Sequence, residues 1–326
     1  MSRATVMFLL KSLISLGLLF FLLSRIDKSE LLWVLSSARY SYLVVALACY
    51  IVGQIICSVR WAMLARPLGF KNPLKDYAVY YFIGMFFNLF APSTIGGDIG
   101  RVFYLARRES GNPGKEVNGS TVPALISVIA DRFIGFAVLA WMGAAALLLF
   151  PAYALPAAIR YLTYALAAGF LVSWLLLPVV NRFLHRKKFL KGEKLLLGLE
   201  TYARNRQIIL QTILLSLVAH LLQTWIQILL GQSLGVEIPW SYSVIIYPLV
   251  GTFSALPVSL NGIGLREGGY LFFLRQIGVS SEKAIAFGIL WFIMIAIDSL
   301  IGGVVFILRR NASPSVIASD IKDQAR

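Results

Sequence analysis

The chain has 326 residues, of which 59% are hydrophobic and 14% charged, with a mean hydropathy of +0.78. A soluble domain carries roughly 25% charged residues and could not cover such an apolar surplus, so the composition excludes a water-soluble fold and points to lipid as the solvent. The net charge of +15 does not imply nucleic-acid binding, because the basic residues fall in short segments between apolar runs, the pattern of the positive-inside rule.

Apolar segments of spanning length run at about 5–24, 41–60, 119–150, 160–180, 207–233 and 284–308. Each has about 20 residues or more, enough for a hydrocarbon core of about 30 Å. The first is interrupted by Lys11 and no small-residue cleavage site follows it, so it reads as an uncleaved span. The second holds both cysteines, Cys49 and Cys57. Eight helical residues separate them by about 12 Å, beyond disulfide reach. Two further apolar runs, Tyr77 to Ala91 and Tyr242 to Leu256, are short, and each meets a proline and then a glycine-rich turn. Runs of that length read as re-entrant or half-helical segments.

Charge sets the expected topology. Arg60, Arg66, Lys71 and Lys75 precede the first short run, and Arg107, Arg108 and Lys115 follow it, which puts both flanks in the cytoplasm. The eight Lys and Arg residues from Arg182 to Arg206 are cytoplasmic by the same rule, and Arg309 and Arg310 put the C-terminus inside. The expectation is an all-α polytopic membrane protein of the plasma membrane. It has six full transmembrane helices, two re-entrant segments and both termini cytoplasmic. Eight spans is the alternative, with segment 101–118 moved outside against the charge rule.

The two short runs resemble each other. Nine positions separate Pro92 from Arg101, and nine separate Pro257 from Arg266, with glycines between in both cases. In the helices that follow, Asp131-Arg132-Phe133-Ile134-Gly135 aligns with Asp298-Ser299-Leu300-Ile301-Gly302; the proline-to-aspartate distances are 39 and 41 residues. One domain, 1–310, thus contains an internal repeat, about 41–150 and about 207–308, expected to be inverted, with a short tail at 311–326.

Proline and glycine at 92–100 and 257–264 free backbone groups that lipid cannot satisfy. They read either as a tight packed turn or as a polar site at the centre of the protein. The helical pieces after the turns are expected to begin near Asp98 and Leu265, with Arg101 and Arg266 one turn or less inside. A helix N-terminus with an arginine beside it suits a phosphate group. The alternative is that each arginine is locked onto Asp98 or Glu267. Asp131 and Arg132 lie roughly 17 Å into their span, and Asp298 lies near the middle of the last one. Charges there cost at least about 2.5–3.5 kcal/mol each, so they should face the interior and be paired. Structural ion pairing and a coupling role, for example proton transfer through Asp98, Asp131, Glu267 or Asp298, both remain open.

The set Asn88-x3-Pro92-x3-Gly96-Gly97-Asp98-x2-Arg101, then Asp131-Arg132, then Pro257-x4-Gly262-Ile263-Gly264-x-Arg266-Glu267 resembles the lysylphosphatidylglycerol synthase transmembrane family, also called flippase-like domain proteins. Asn261 stands where members usually have another glycine. The resemblance covers about residues 5–310. It implies a domain that moves a phosphate-bearing lipid, aminoacylated or polyprenyl-linked in some members, between leaflets. It also implies a substrate site built from the motif residues Asn88, Pro92, Gly96, Gly97, Asp98, Arg101, Pro257, Asn261, Gly262, Gly264, Arg266 and Glu267. About 16 residues follow the last span, so the soluble domain that makes aminoacyl lipids is expected to be absent and the chain is expected to be no enzyme. No G-x4-G-K-[ST] or H-E-x-x-H occurs. A D-x-x-D stands at Asp320–Asp323 in the tail beyond the last span, and a G-x-S-x-G at Gly231–Gly235 closes an apolar run instead of joining a strand to a helix; no metal or other cofactor is expected. The expected partners are membrane lipids with anionic or phosphate-bearing head groups, and a homo-oligomer stays open. The alternatives are a membrane-embedded enzyme acting on lipid phosphates and a non-transporting accessory protein.

Overall fold

A computed structural model describes residues 3–90, 95–108, 120–186, 193–255, 259 and 262–312. Among them every regular element is helical: α1 (Arg3–Ser24), α2 (Lys28–Ser36), α3 (Tyr40–Ala65), α4 (Leu74–Phe90), α5 (Ile95–Arg108), α6 (Thr121–Leu149), α7 (Ala157–Arg186), α8 (Glu193–Arg204), α9 (Arg206–Ser233), α10 (Trp240–Ser254), α11 (Leu265–Arg275) and α12 (Ser281–Ala312). Helix is the outcome the solvent demands, since it pairs every backbone N–H and C=O within one segment.

Five stretches are long and apolar enough to cross a membrane: Tyr40–Leu68, Thr121–Leu149, Ala157–Leu176, Arg206–Ser233 and Ser281–Arg309. The first expected span lies in α1, whose apolar part, Leu10–Ser24, is shorter. Large apolar side chains such as Leu13, Phe20, Leu149 and Leu175 lie exposed on α1, α6 and α7, as a protein solvated by lipid requires. Cys49 and Cys57 are both free thiols.

The short runs form broken helices. α4 has 17 residues and α10 has 15, about 25 Å and 22 Å of helix, and each is followed by a second short helix, α5 or α11. The element order long, short, short, long therefore occurs twice, as α3–α4–α5–α6 and α9–α10–α11–α12. Packing is reciprocal as well. α3 lies along α9, α4 packs on α12, and α10 packs on α6.

Glycine lets these helices approach. An added Cβ on Gly302 of α12 would lie 1.9 Å from the Phe82 carbonyl oxygen of α4, and one on Gly97 of α5 would lie 1.9 Å from the Gly84 carbonyl oxygen of α4. The first glycine-rich segment thus departs from expectation. α5 begins at Ile95, three residues before Asp98, and carries Gly96 and Gly97 inside its first turn. The second segment behaves as a turn: Gly262 and Gly264 have φ of 75° and 84°, a region that favours glycine, and α11 begins at Leu265.

Candidate functional site

Arg101 sits six residues into α5, deeper than expected, and is buried beside Asp131 of α6. Asp131 Oδ2 accepts from Arg101 Nη2 at 2.9 Å, and Asp131 Oδ1 accepts from Arg60 Nε of α3 at 2.8 Å. Arg60 Nη1 also donates to Ser216 Oγ of α9 at 2.9 Å. The Arg101 guanidinium lies over the rings of Trp61 at 4.2 Å and Tyr81 at 4.6 Å, a favourable cation–π environment for a desolvated cation.

A second carboxylate extends the chain of charges. Arg132 forks onto Asp98, with Nε–Oδ2 at 3.0 Å and Nη2–Oδ1 at 2.9 Å, while Arg101 Nη1 approaches Asp98 Oδ1 at 3.4 Å. Three arginines and two aspartates from α3, α5 and α6 thus form one continuous network. In the second half, Glu267 takes Arg266 Nη2 at 2.9 Å on Oε1 and the Gly264 N–H at 2.6 Å on Oε2. The structure therefore contains the Arg266–Glu267 lock outright, whereas the stronger partner of Arg101 is Asp131 rather than Asp98.

Between the two broken helices lies a cavity of about 350 Å³, which shares wall residues such as Tyr50, Gln54 and Arg266 with a second of about 310 Å³. Of the expected site residues, Asn88, Arg101, Arg132, Gly262 and Arg266 line the first, and Asp131 lines the second. Asn88 has two tasks, since its Oδ1 also accepts the Gly97 N–H at 2.8 Å and ties α4 to α5. Gly96, Gly97, Asp98, Gly264 and Glu267 are near the breaks but are not cavity walls. Pro92, Pro257 and Asn261 lie outside the described residues.

Two corrections follow. Arg60, counted as a cytoplasmic flanking charge, is 5% exposed inside α3, because α3 continues to Ala65 and carries Arg60 into the interior. Asp298, expected to be paired, is fully buried and has no hydrogen-bond partner on either oxygen among the described residues. Asp131 is held by Arg60 and Arg101, but Arg266, which corresponds to Arg101, pairs with Glu267 instead of Asp298. A buried carboxylate already without partners loses none on amidation. Asp298→Asn is therefore expected to change unfolding free energy by less than about 1 kcal/mol, checked by detergent unfolding.

Sequence reasoning also missed cavity walls. Lys11 interrupts an apolar run and lines the first cavity, and Gln54, a polar residue in mid-span, lines both. Polarity at membrane depth is the signal that marks both.

The model of the family described as "Lysylphosphatidylglycerol synthase TM region" matches residues 8–302. A UPF0104 membrane protein of Methanocaldococcus jannaschii is 25% identical over 109 residues, which are 33% of this chain and 31% of that protein. The aligned part thus spans about a third of that curated relative. With a match over nearly its whole length, the chain belongs to the lysylphosphatidylglycerol synthase TM region family and is a multi-pass membrane protein.

Proposed function

We propose that this protein carries a phosphate-bearing lipid from one leaflet to the other, without chemical change, in the cell membrane and with both termini cytoplasmic. One observation carries the reading: four cations, Lys11, Arg101, Arg132 and Arg266, meet at one cavity between two broken helices. A phosphate crossing the hydrocarbon core needs its water shell replaced by fixed donors, and arginine supplies them in forked geometry. Broken helices meeting around such a cavity are a recurrent transporter plan. The head group would occupy the cavity while the acyl or prenyl tails stay in lipid.

The test is a dithionite assay in liposomes with tail-labelled phospholipid in both leaflets. Wild type is expected to expose inner-leaflet label faster than empty vesicles. Arg266→Ala, checked for folding because it leaves Glu267 buried without its cation and removes the contact with Phe292 of α12, is expected to lose at least about tenfold in rate, the equivalent of one charge-assisted contact. Wild-type rates no faster than empty vesicles, across anionic, aminoacylated and polyprenyl lipids and with an imposed proton gradient, would refute the proposal.

A further inference from the structure

The charges that face the cavity differ from the charges near it. The first cavity is lined by four cations and, among the described residues, by no acid. The second adds Arg60 and one acid, Asp131, whose two oxygens are already held by Arg60 and Arg101. Asp98 and Glu267 are bound to arginines and do not line either cavity, and Asp298 is fully buried behind the walls, next to the lining residue Ser299. A head-group ammonium entering here would meet cations and, among the described lining residues, no carboxylate free to receive it, and like charges in a low dielectric repel strongly. A head group bearing only phosphate would meet unspent positive charge.

Lys11 supplies the most available part of that charge. No ion pair to it exists among the described residues, and it is half-buried on α1, outside both repeats. Lys11 and Leu18 are seven residues apart, two turns along one helix face. Leu18 packs against Gly264, where an added Cβ would come within 2.6 Å of Leu18 Cβ. The same contact that seats α1 on the start of α11 therefore turns Lys11 toward the cavity wall. Arg101 adds a buried Nε that has no hydrogen-bond partner among the described residues.

We infer that the cavity selects lipids whose head groups carry phosphate and no ammonium group, rejecting aminoacylated ones, and that Lys11 is a specificity-determining ligand for that phosphate. The inference deepens the lipid-translocation reading and rests on it, so its test reads binding separately from transport. The protein in a neutral maltoside detergent is melted with dioctanoyl phosphatidylglycerol or with its lysyl ester. Phosphatidylglycerol is expected to raise the melting temperature, and the lysyl ester is expected to do so only at concentrations about tenfold higher or more. Lys11→Met, which keeps the shape, should weaken phosphatidylglycerol about tenfold. Lys11→Glu should reverse the order of the two lipids, an outcome that a merely structural lysine would not produce. Equal shifts by both lipids, a shift by neither, or an unchanged order in Lys11→Glu would each overturn the inference. Equal shifts together with rapid flipping in liposomes would do so while leaving the transport reading intact.

Discussion

Gly97→Ala is expected to abolish the folded state or to cost more than about 3 kcal/mol, the upper end of ordinary overpacking. The new methyl would lie 1.9 Å from the Gly84 carbonyl oxygen and 2.6 Å from Asn88 Oδ1. A backbone oxygen cannot rotate aside as a side chain can, so α4 and α5 would have to separate. That separation would break the Asn88–Gly97 hydrogen bond and pull Arg101 from its aromatic bed. Gly100→Ala is the control on the same helix, because its Cβ would meet only Phe87 Cδ2 at 3.7 Å. There the change should be neutral or stabilising by up to about 1 kcal/mol through helix propensity. Unfolding of the two variants in mixed micelles decides the matter; equal stabilities would show that the crossing is loose.

Asp131→Asn is expected to cost about 3–5 kcal/mol, the usual consequence of removing one member of a buried ion network. The amide keeps the shape but leaves Arg60 and Arg101 with too little counter-charge, and one of its two polar atoms becomes a donor facing a guanidinium. Lipid transport is expected to fall with it, since Arg101 would lose the anchor that sets its position at the cavity wall. The contrast with Asp298→Asn is the informative part. Two aspartates that align in sequence should respond oppositely, because one is held by two arginines and the other by none. Similar losses from both would mean that Asp298 has a partner in the membrane.

Much of this arrangement is legible in the amino-acid order. Hydropathy locates the long helices, and the proline and glycine clusters locate both breaks, because few other residues interrupt an apolar helix. Arg101 and Arg266, which stand at matching places after the two glycine-rich segments, line one cavity. What the order hides is depth and direction. Arg60 carries the same positive sign as Arg66, Lys71 and Lys75 after it, so counting charges cannot separate a buried ligand of Asp131 from a topology signal; only the length of α3 does. Gly96 and Gly97 look like a turn, yet they are helical, because their role is close approach to Gly84 rather than chain reversal. The aspartate pairing misled for a related reason. Asp131 draws its partners from other helices, Arg60 of α3 and Arg101 of α5, whereas Arg266, the counterpart of Arg101, is taken by Glu267, which leaves Asp298 without a partner among the described residues.

The reciprocal packing of α4 on α12 and of α10 on α6 means that each half of the chain clasps the other's broken helix. Neither half contains both members of either crossing. Expressed as a separate polypeptide, each half would leave a glycine-lined groove open to lipid and its own short helices unsupported. Two such fragments made together have every surface needed to reassemble. A fragment made alone could cover its groove only with a copy of itself, as two interlocked hands of the same kind.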